Sequence, residues 1–217
     1  MGPRRAWRRG PFSWRRVAHP LLGCGSLGIT HDLLGGRAAE DGYTKVGGRM
    51  EIRHTREEDL PRLMEIYAHA RQFMAEHDNP TQWGSVWPPE ELIRSDVATG
   101  RGYACEQDGR IVGTFFFDYG TDVEPTYASI EDGAWISDEP YGVVHRIASD
   151  GSVPGTGSFC IDWAFAQCGH LRIDTHADNY VMRSLLEKLG FVRCGTIYVW
   201  DDGTRSPRVA FERCTSV

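Results

Sequence analysis

The sequence predicts an α/β (α+β) protein, and three stretches carry that reading. The first runs from Val143 to Trp163: a β-branched strand pattern, a glycine-punctuated stretch from Ser149 to Ser158, then Phe159-Cys160-Ile161-Asp162-Trp163 with apolar residues at helical spacing. In the second, Leu171 to Thr175 reads as a short strand, Asp178 to Gly190 as a helix, and Phe191 to Trp200 as strand again. The third is a hairpin, Tyr103 to Glu106 and Arg110 to Asp118, around the strong turn signal Gln107-Asp108-Gly109.

With 217 residues, 41% of them apolar and 11% aromatic, the chain can bury one sizeable core, so one domain plus an appendage is the natural count. The appendage is residues 1–49, which show no lasting period and hold ten of the 25 glycines. Three readings fit it. Arg15-Arg16 ahead of Val17 to Gly23, with Leu21-Leu22-Gly23-Cys24, resembles a lipoprotein signal, although His19 and Pro20 break an already short apolar run. A basic interaction arm is another reading. The preferred one is a disordered, basic leader, upstream sequence read as coding, with the domain spanning residues 50–217 and starting at Met50.

From Met50 the elements follow in order. Met50-Glu51-Ile52-Arg53-His54 is an opening strand. Thr55 and Glu58 make a capping-box pattern, and Leu60, Leu63, Met64, Tyr67 and Met74 trace the stripe of a first helix. Asn79 to Pro89 is a loop holding Trp83 and Trp87, and Glu90 to Ala98 is a second helix. In the hairpin, Ile111, Gly113, Phe115 and Phe117 alternate with Val112, Thr114, Phe116 and Asp118, so both faces are largely apolar and the strand is central. Tyr119 to Pro140 is a long irregular connection, and such connections are usually functional. Asp178 or Asn179 can cap the later helix, Met182, Leu185, Leu186 and Leu189 form its stripe, and Gly190 stops it. Val192 to Trp200 and Arg208 to Arg213 close the chain as strands about Asp201-Asp202-Gly203.

The turn before the middle helix has a chemical use. A helix's first turn leaves backbone N–H groups unpaired at the positive end of its dipole, where an anion, most often a phosphate, can settle. Gly155 and Gly157 let the backbone turn sharply and approach a ligand closely, and Pro154 fixes φ just before them.

The succession of strand, Gly-x-Gly turn, helix, strand, Asn-led helix and Leu-Gly-Phe resembles the GNAT superfamily of acetyl-CoA-dependent N-acetyltransferases. That family's signature, Gln/Arg-x-x-Gly-x-Gly/Ala, falls on Ser152, Val153, Pro154, Gly155, Thr156 and Gly157; a second, an Asn followed by an apolar helix ending in Gly-Phe, falls on Asn179 and Gly190-Phe191. The resemblance covers roughly Met50 to Arg213. Ser152 stands where the family has Arg or Gln, which removes one side-chain contact to the pyrophosphate. Leu186 stands where many members place a proton-donating Tyr, which leaves the general acid unassigned.

The resemblance implies a mixed, mostly antiparallel central sheet with one splayed parallel pair and helices on both faces. Acetyl-CoA would fit the splay as co-substrate, its pyrophosphate on the N–H groups of Val153, Pro154's neighbours Gly155, Thr156 and Gly157, and Ser158. Its pantetheine arm would lie along Ile147 and Ala148, with Asn179 at the second motif. The implied function is N-acetyltransfer to a primary amine of a small molecule or a protein. An alkyl amine, with a pKa of about 10, must lose a proton before attack. Glu131, Asp132 and His145 are the candidate bases, His145 favoured by its place two residues before Ile147; a buried structural role for it fits as well. Tyr198, Tyr180 or His176 could stand in as general acid, with His176 also able to cap the next helix. The early helices would wall the acceptor pocket, with Trp83 and Trp87 able to line it, and Glu131, Asp132 and Trp135 the best placed of the long connection to face it.

Charge bounds the partners. Residues 1–49 carry nine Lys and Arg against three Asp and Glu, and the rest fifteen against twenty-seven. So acidic a body disfavours nucleic acid and suits a cationic amine acceptor. The six cysteines show no Cys-x-x-Cys pair or zinc spacing, which reads as reduced thiols in a cytoplasmic protein without a metal. No run approaches the ~20 apolar residues of a membrane span. Monomer and homodimer both remain open. The competing readings are a catalytically inactive acyl-CoA-binding sensor or interaction module, and a nucleotide-binding α/β domain unrelated to CoA.

Overall fold

The computed structural model describes residues 48–201 and 203–215, so the readings for residues 1–47, Cys24 included, lie outside the described residues. Among the described residues seven strands and four helices follow one another: β1 (Met50–His54), α1 (Leu60–Glu76), α2 (Glu90–Ala98), β2 (Gly102–Gln107), β3 (Arg110–Gly120) and β4 (Tyr141–Ser149). Then come α3 (Thr156–Cys168), β5 (His170–Thr175), α4 (Tyr180–Lys188), β6 (Val192–Asp201) and β7 (Thr204–Cys214).

The strands form one sheet in the order β1-β2-β3-β4-β5-β7-β6. Every pairing is antiparallel except β4 with β5, which is parallel. The fold is therefore the mixed α/β, mostly antiparallel one with a single parallel pair. Asp108 and Gly109, at φ 53° and 75°, make the two-residue turn between β2 and β3. β3 lies between β2 and β4, and both of its faces are apolar because helices cover each side, Val112 and Phe115 packing with α3 and Ile111 with α1.

Both faces of the sheet are covered by helices. On one, Cys160, Ile161 and Ala164 of α3 and Leu186 of α4 pack with Val112, Phe115, Ile173 and Phe211. On the other, Leu63, Ile66 and Tyr67 of α1 and Ile93 of α2 pack with Ala104, Ile111 and Ala148. A third cluster, Tyr127, Tyr141, Val143, Ile197 and Ala210, lies beneath the connection from β3 to β4.

Two local readings need correction. Thr55 and Glu58 do not cap α1: the Thr55 hydroxyl is buried without a partner, and a 3-10 turn, Glu57–Asp59, precedes the helix. The Asp59 carboxylate instead accepts from the Arg56 N–H at 2.8 Å and holds Arg53, so its charge serves the helix start and the sheet edge together. β7 begins at Thr204 rather than Arg208, with Pro207 inside it. Proline cannot donate to a ladder, but β5 reaches only as far as Val209, so one side of β7 is free at Pro207.

No helix among the described residues is long and apolar enough to cross a membrane.

Candidate active site

β4 supplies the frame. Its parallel pairing with β5 covers only Gly142–Leu171 and Val143–Arg172, although β4 continues to Ser149 and β5 to Thr175. Past Val143 the two strands part. β4 also gains one residue against β3 between Thr114–Ala148 and Phe116–His145, a bulge in which Arg146 adopts φ 52°. That left-handed residue is held by its side chain, which donates to Asp96 through Nε at 3.0 Å and Nη2 at 2.9 Å and lies 4.5 Å from the Phe116 ring centroid. Burial pushes the Asp96 carboxyl upward while the Arg146 charge opposes it.

Beyond the bulge, Ile147, Ala148 and Ser149 line a groove of about 280 Å³, walled by α1 through Ala70 and Met74 and by Asn179, Met182 and Leu185 of α4. Gly157 lines it too. The first backbone bond into α3 runs from Phe159 N–H to Gly155 C=O at 2.9 Å; among the described residues no carbonyl claims the N–H groups of Gly155, Gly157 or Ser158. Gly155 sits at φ 84° with open space where a Cβ would point, and a Cβ on Gly157 would lie 3.3 Å from Leu185 Cδ2. Unclaimed amides at a helix start, opening on a groove between parted strands, fit a diphosphate and its thiol-bearing arm. The turn ahead of them is braced by Asp150, which accepts from the Ser152 amide at 2.9 Å and pairs with Arg62.

Before the bulge, Val144, His145 and Arg146 line a second, larger cavity of about 700 Å³. Trp83 and Trp87 wall it from the loop after α1, Glu124 and Thr126 from the connection after β3, and Asp174 from β5. The half-buried His145 has its Nε2 3.0 Å from Glu124 Oε2. Burial opposes ionisation of Glu124, but the bond and charge of His145 and two donations from Thr126 outweigh it and bring the carboxyl down to about 2. An ionised carboxylate only accepts, so Nε2 of His145 carries a proton, and in the neutral form of the ring the lone pair is on Nδ1. Nδ1 lies 3.9 Å from Asp174 Oδ1, too far to be bonded, and that oxygen accepts from the Tyr127 hydroxyl at 2.7 Å. Burial, then the Asp174 charge, raises the Tyr127 phenol well above its ordinary range and keeps it a donor.

The structure brings His145, Trp83 and Trp87 to the larger cavity and Ile147, Ala148, Gly157 and Asn179 to the smaller. Val153, Pro154, Gly155, Thr156 and Ser158 stand at the α3 start beside it. Glu131 and Tyr198 line neither cavity: Glu131 accepts from the Tyr198 hydroxyl at 3.1 Å and from Arg205 at 2.5 Å, so the two meet each other on the exposed side of β6. Asp132 and Trp135 are outside both as well, with Trp135 Nε1 donating to the Tyr127 carbonyl at 2.9 Å. His176 Nδ1 accepts from the Asp178 N–H at 3.2 Å, a local turn bond, and Tyr180 is exposed on the first turn of α4. Leu186 is fully buried in the core and offers no proton.

Glu124, Asp174 and Gln82 are the site residues that sequence reasoning missed. Glu124 precedes Pro125 at the first position of a 3-10 turn and caps it, a helix-start signature inside the long connection. Asp174 lies at the carboxyl end of a strand of the parallel pair, where ligand sites gather in such sheets. Among the described residues no cluster of His, Cys, Asp or Glu could hold a metal ion.

Residues 49–192 match the family described as the acetyltransferase (GNAT) domain. No curated protein sequence matches the chain. Among solved structures, a GNAT-family acetyltransferase from Streptococcus agalactiae 2603 shares 26% identity over 77% of this chain and 96% of that one, with a TM-score of 0.64. A GNAT-family acetyltransferase from Listeria monocytogenes 4b F2365 superposes with a TM-score of 0.55 at 16% identity, over 76% of this chain and 94% of that one. A ribosomal-protein-alanine N-acetyltransferase from Brucella melitensis does so with a TM-score of 0.50 at 18% identity, over 76% and 99%. At those last two identities the likeness is one of fold.

Proposed function

Because the chain belongs to the GNAT acetyltransferase family, whose general reaction is acetyl-CoA-dependent N-acetylation, we propose that residues 50–217 form an N-acetyltransferase acting in the cytoplasm on a primary amine. One observation carries the assignment of sites: a single strand, β4, lines the larger cavity with Val144 to Arg146 and the smaller groove with Ile147 to Ser149, and it changes from one to the other at the bulge. Donor and acceptor thus meet at one backbone turn.

Acetyl-CoA supplies the activated acetyl group. The amides of Gly155, Gly157 and Ser158 hold its diphosphate, and Ile147 and Ala148 flank the arm that leads to the thioester. The acceptor enters the larger cavity as ammonium, drawn by Glu124 and Asp174, and its carbon skeleton packs on Trp83 and Trp87. His145 Nδ1 takes the proton that the nitrogen must lose before or during attack on the thioester carbon. Glu124 fixes the ring and its tautomer and stabilises the imidazolium that forms. The departing thiolate takes its proton from water, since Leu186 has none to give.

The test begins with binding. The full chain should be protected from thermal unfolding by CoA, and it should release free thiol from acetyl-CoA with at least one member of a panel of small amines and peptides. Binding without turnover on any amine would favour the inactive acyl-CoA-binding module, and protection by a nucleotide but not by CoA would remove the reading.

A further inference from the structure

A short chain of carboxamides joins the two cavities. Gln82 lines the larger one, while Asn79 and Asn179 line opposite walls of the smaller: Asn79 closely follows α1, and Asn179 caps α4. Gln82 Oε1 accepts from Asn79 Nδ2 at 2.7 Å and from Asn179 Nδ2 at 2.9 Å. The orientation is fixed by chemistry. Asn179 Oδ1 accepts from the Met182 N–H at 3.1 Å, so its NH₂ group faces Gln82, which must answer with its oxygen. One acceptor atom therefore ties the end of α1 to the start of α4 across the groove, from the acceptor side.

We propose that Gln82 is a positioning residue that clasps the two walls of the CoA groove, setting its width where the groove meets the acceptor cavity. This rests on the proposed function. Among the described residues no other side chain joins Asn79 to Asn179. The Asn79 side-chain oxygen Oδ1 is buried without a partner, so that residue is anchored through its Nδ2–Gln82 bond and its backbone N–H bond to Met74 C=O at 3.0 Å. Losing the Gln82 oxygen unties the two walls from each other and leaves the NH₂ group of Asn79 unmet.

The experiment compares the affinity of the full chain for CoA by calorimetry in wild type, Gln82→Met and Gln82→Glu. Methionine keeps the volume and removes the acceptor atom; glutamate keeps the acceptor atom and replaces the NH₂ group by a charged oxygen. The clasp predicts roughly ten-fold weaker CoA binding by Gln82→Met, about the effect of a lost pair of ordinary hydrogen bonds, and near wild-type binding by Gln82→Glu. Gln82→Met binding CoA as tightly as wild type would overturn it, and so would Gln82→Glu binding as weakly as Gln82→Met. If both substitutions raised only the KM for the amine, Gln82 would be an acceptor contact and not a clasp. A wild-type chain that binds no CoA would remove the proposed function itself, and the clasp with it.

Discussion

At the scale of single residues, the chemistry turns on which nitrogen of His145 is free. Glu124, held near 2 by the charge and hydrogen bonds that outweigh its burial, can only accept from Nε2, so the basic atom is Nδ1, 3.9 Å from Asp174. His145→Ala should therefore lower kcat on the order of 10²-fold, the lower range for a lost general base, while the dissociation constant for CoA stays within about two-fold. Steady-state kinetics beside calorimetry would check this, and unchanged turnover would discard the base. Glu124→Gln is the sharper variant: its amide can present either an oxygen or an NH₂ group to the ring, so the tautomer is no longer enforced and kcat should fall about ten-fold or more with CoA affinity retained. The reason sequence reasoning found the histidine but not its partner is visible here. His145 stands two residues from the strand stretch that the resemblance marks, whereas Glu124 lies 21 residues earlier in a connection with no periodicity and is brought back by the fold.

At the scale of elements, the site depends on β4 touching β5 briefly and then leaving it. Gly142 makes that contact possible: a Cβ there would lie 2.7 Å from Leu171 Cδ2, 2.8 Å from Phe117 Cε2 and 2.9 Å from Cys168 Sγ. Gly142→Ala should lower stability by about 1–3 kcal/mol, the usual cost of overpacking, seen as a reduced urea midpoint with an unchanged slope. Gly155→Ala is a different experiment on the same frame. It meets no neighbour, so its effect is that of an alanine forced to φ 84°, about 1–2 kcal/mol, together with weaker CoA binding as the α3 amides reorient. An equal loss of CoA affinity in both variants would mean that stability, and not the cradle, is being read. These elements were legible because each has a local cause: Asp108-Gly109 makes a hairpin turn, Asn179 caps α4, and glycines open α3. The bulge at Arg146 was not, because its left-handed backbone is held by Asp96, fifty residues away. The start of β7 was hidden too, since Pro207 discourages a strand unless the neighbouring strand is known to have ended.

At the scale of the whole sheet, what places Glu124 against His145 is the anchoring of the long β3–β4 connection onto β5 and β7. Glu212, fully buried on β7, accepts from the Ile136 N–H, lies 2.6 Å from His170 Nε2 and takes Arg172 Nε at 3.1 Å; Arg172 in turn donates to the Ser137 carbonyl and stacks 4.3 Å over Trp135. Burial opposes the charge on Glu212, yet the Ile136 N–H, His170 and Arg172 together hold its carboxyl below the ordinary 4.5. Glu124 is depressed in the same direction. Both groups stay ionised in the folded chain at pH values where the unfolded chain has bound protons, so their stabilisation is complete above about pH 4.5 and drains away as pH falls toward the folded values. Urea midpoints should then be level in this respect between pH 7 and 5 and drop below pH 4.5. Glu212→Gln leaves Arg172 and His170 facing a neutral amide in a buried site, and should cost about 3–5 kcal/mol at pH 7 while flattening part of that acid slope. Because the same network fixes the wall that carries Glu124, the variant should also lose kcat more than CoA affinity; the groove is lined by residues of α1, α3, α4 and β4, and the hydrogen bonds of Glu212 run instead to Ile136, His170 and Arg172. A variant with the wild-type acid slope would show that the charge of Glu212 is not what its surroundings favour, and one that lost CoA binding in step with kcat would show that the connection and the groove move as one body.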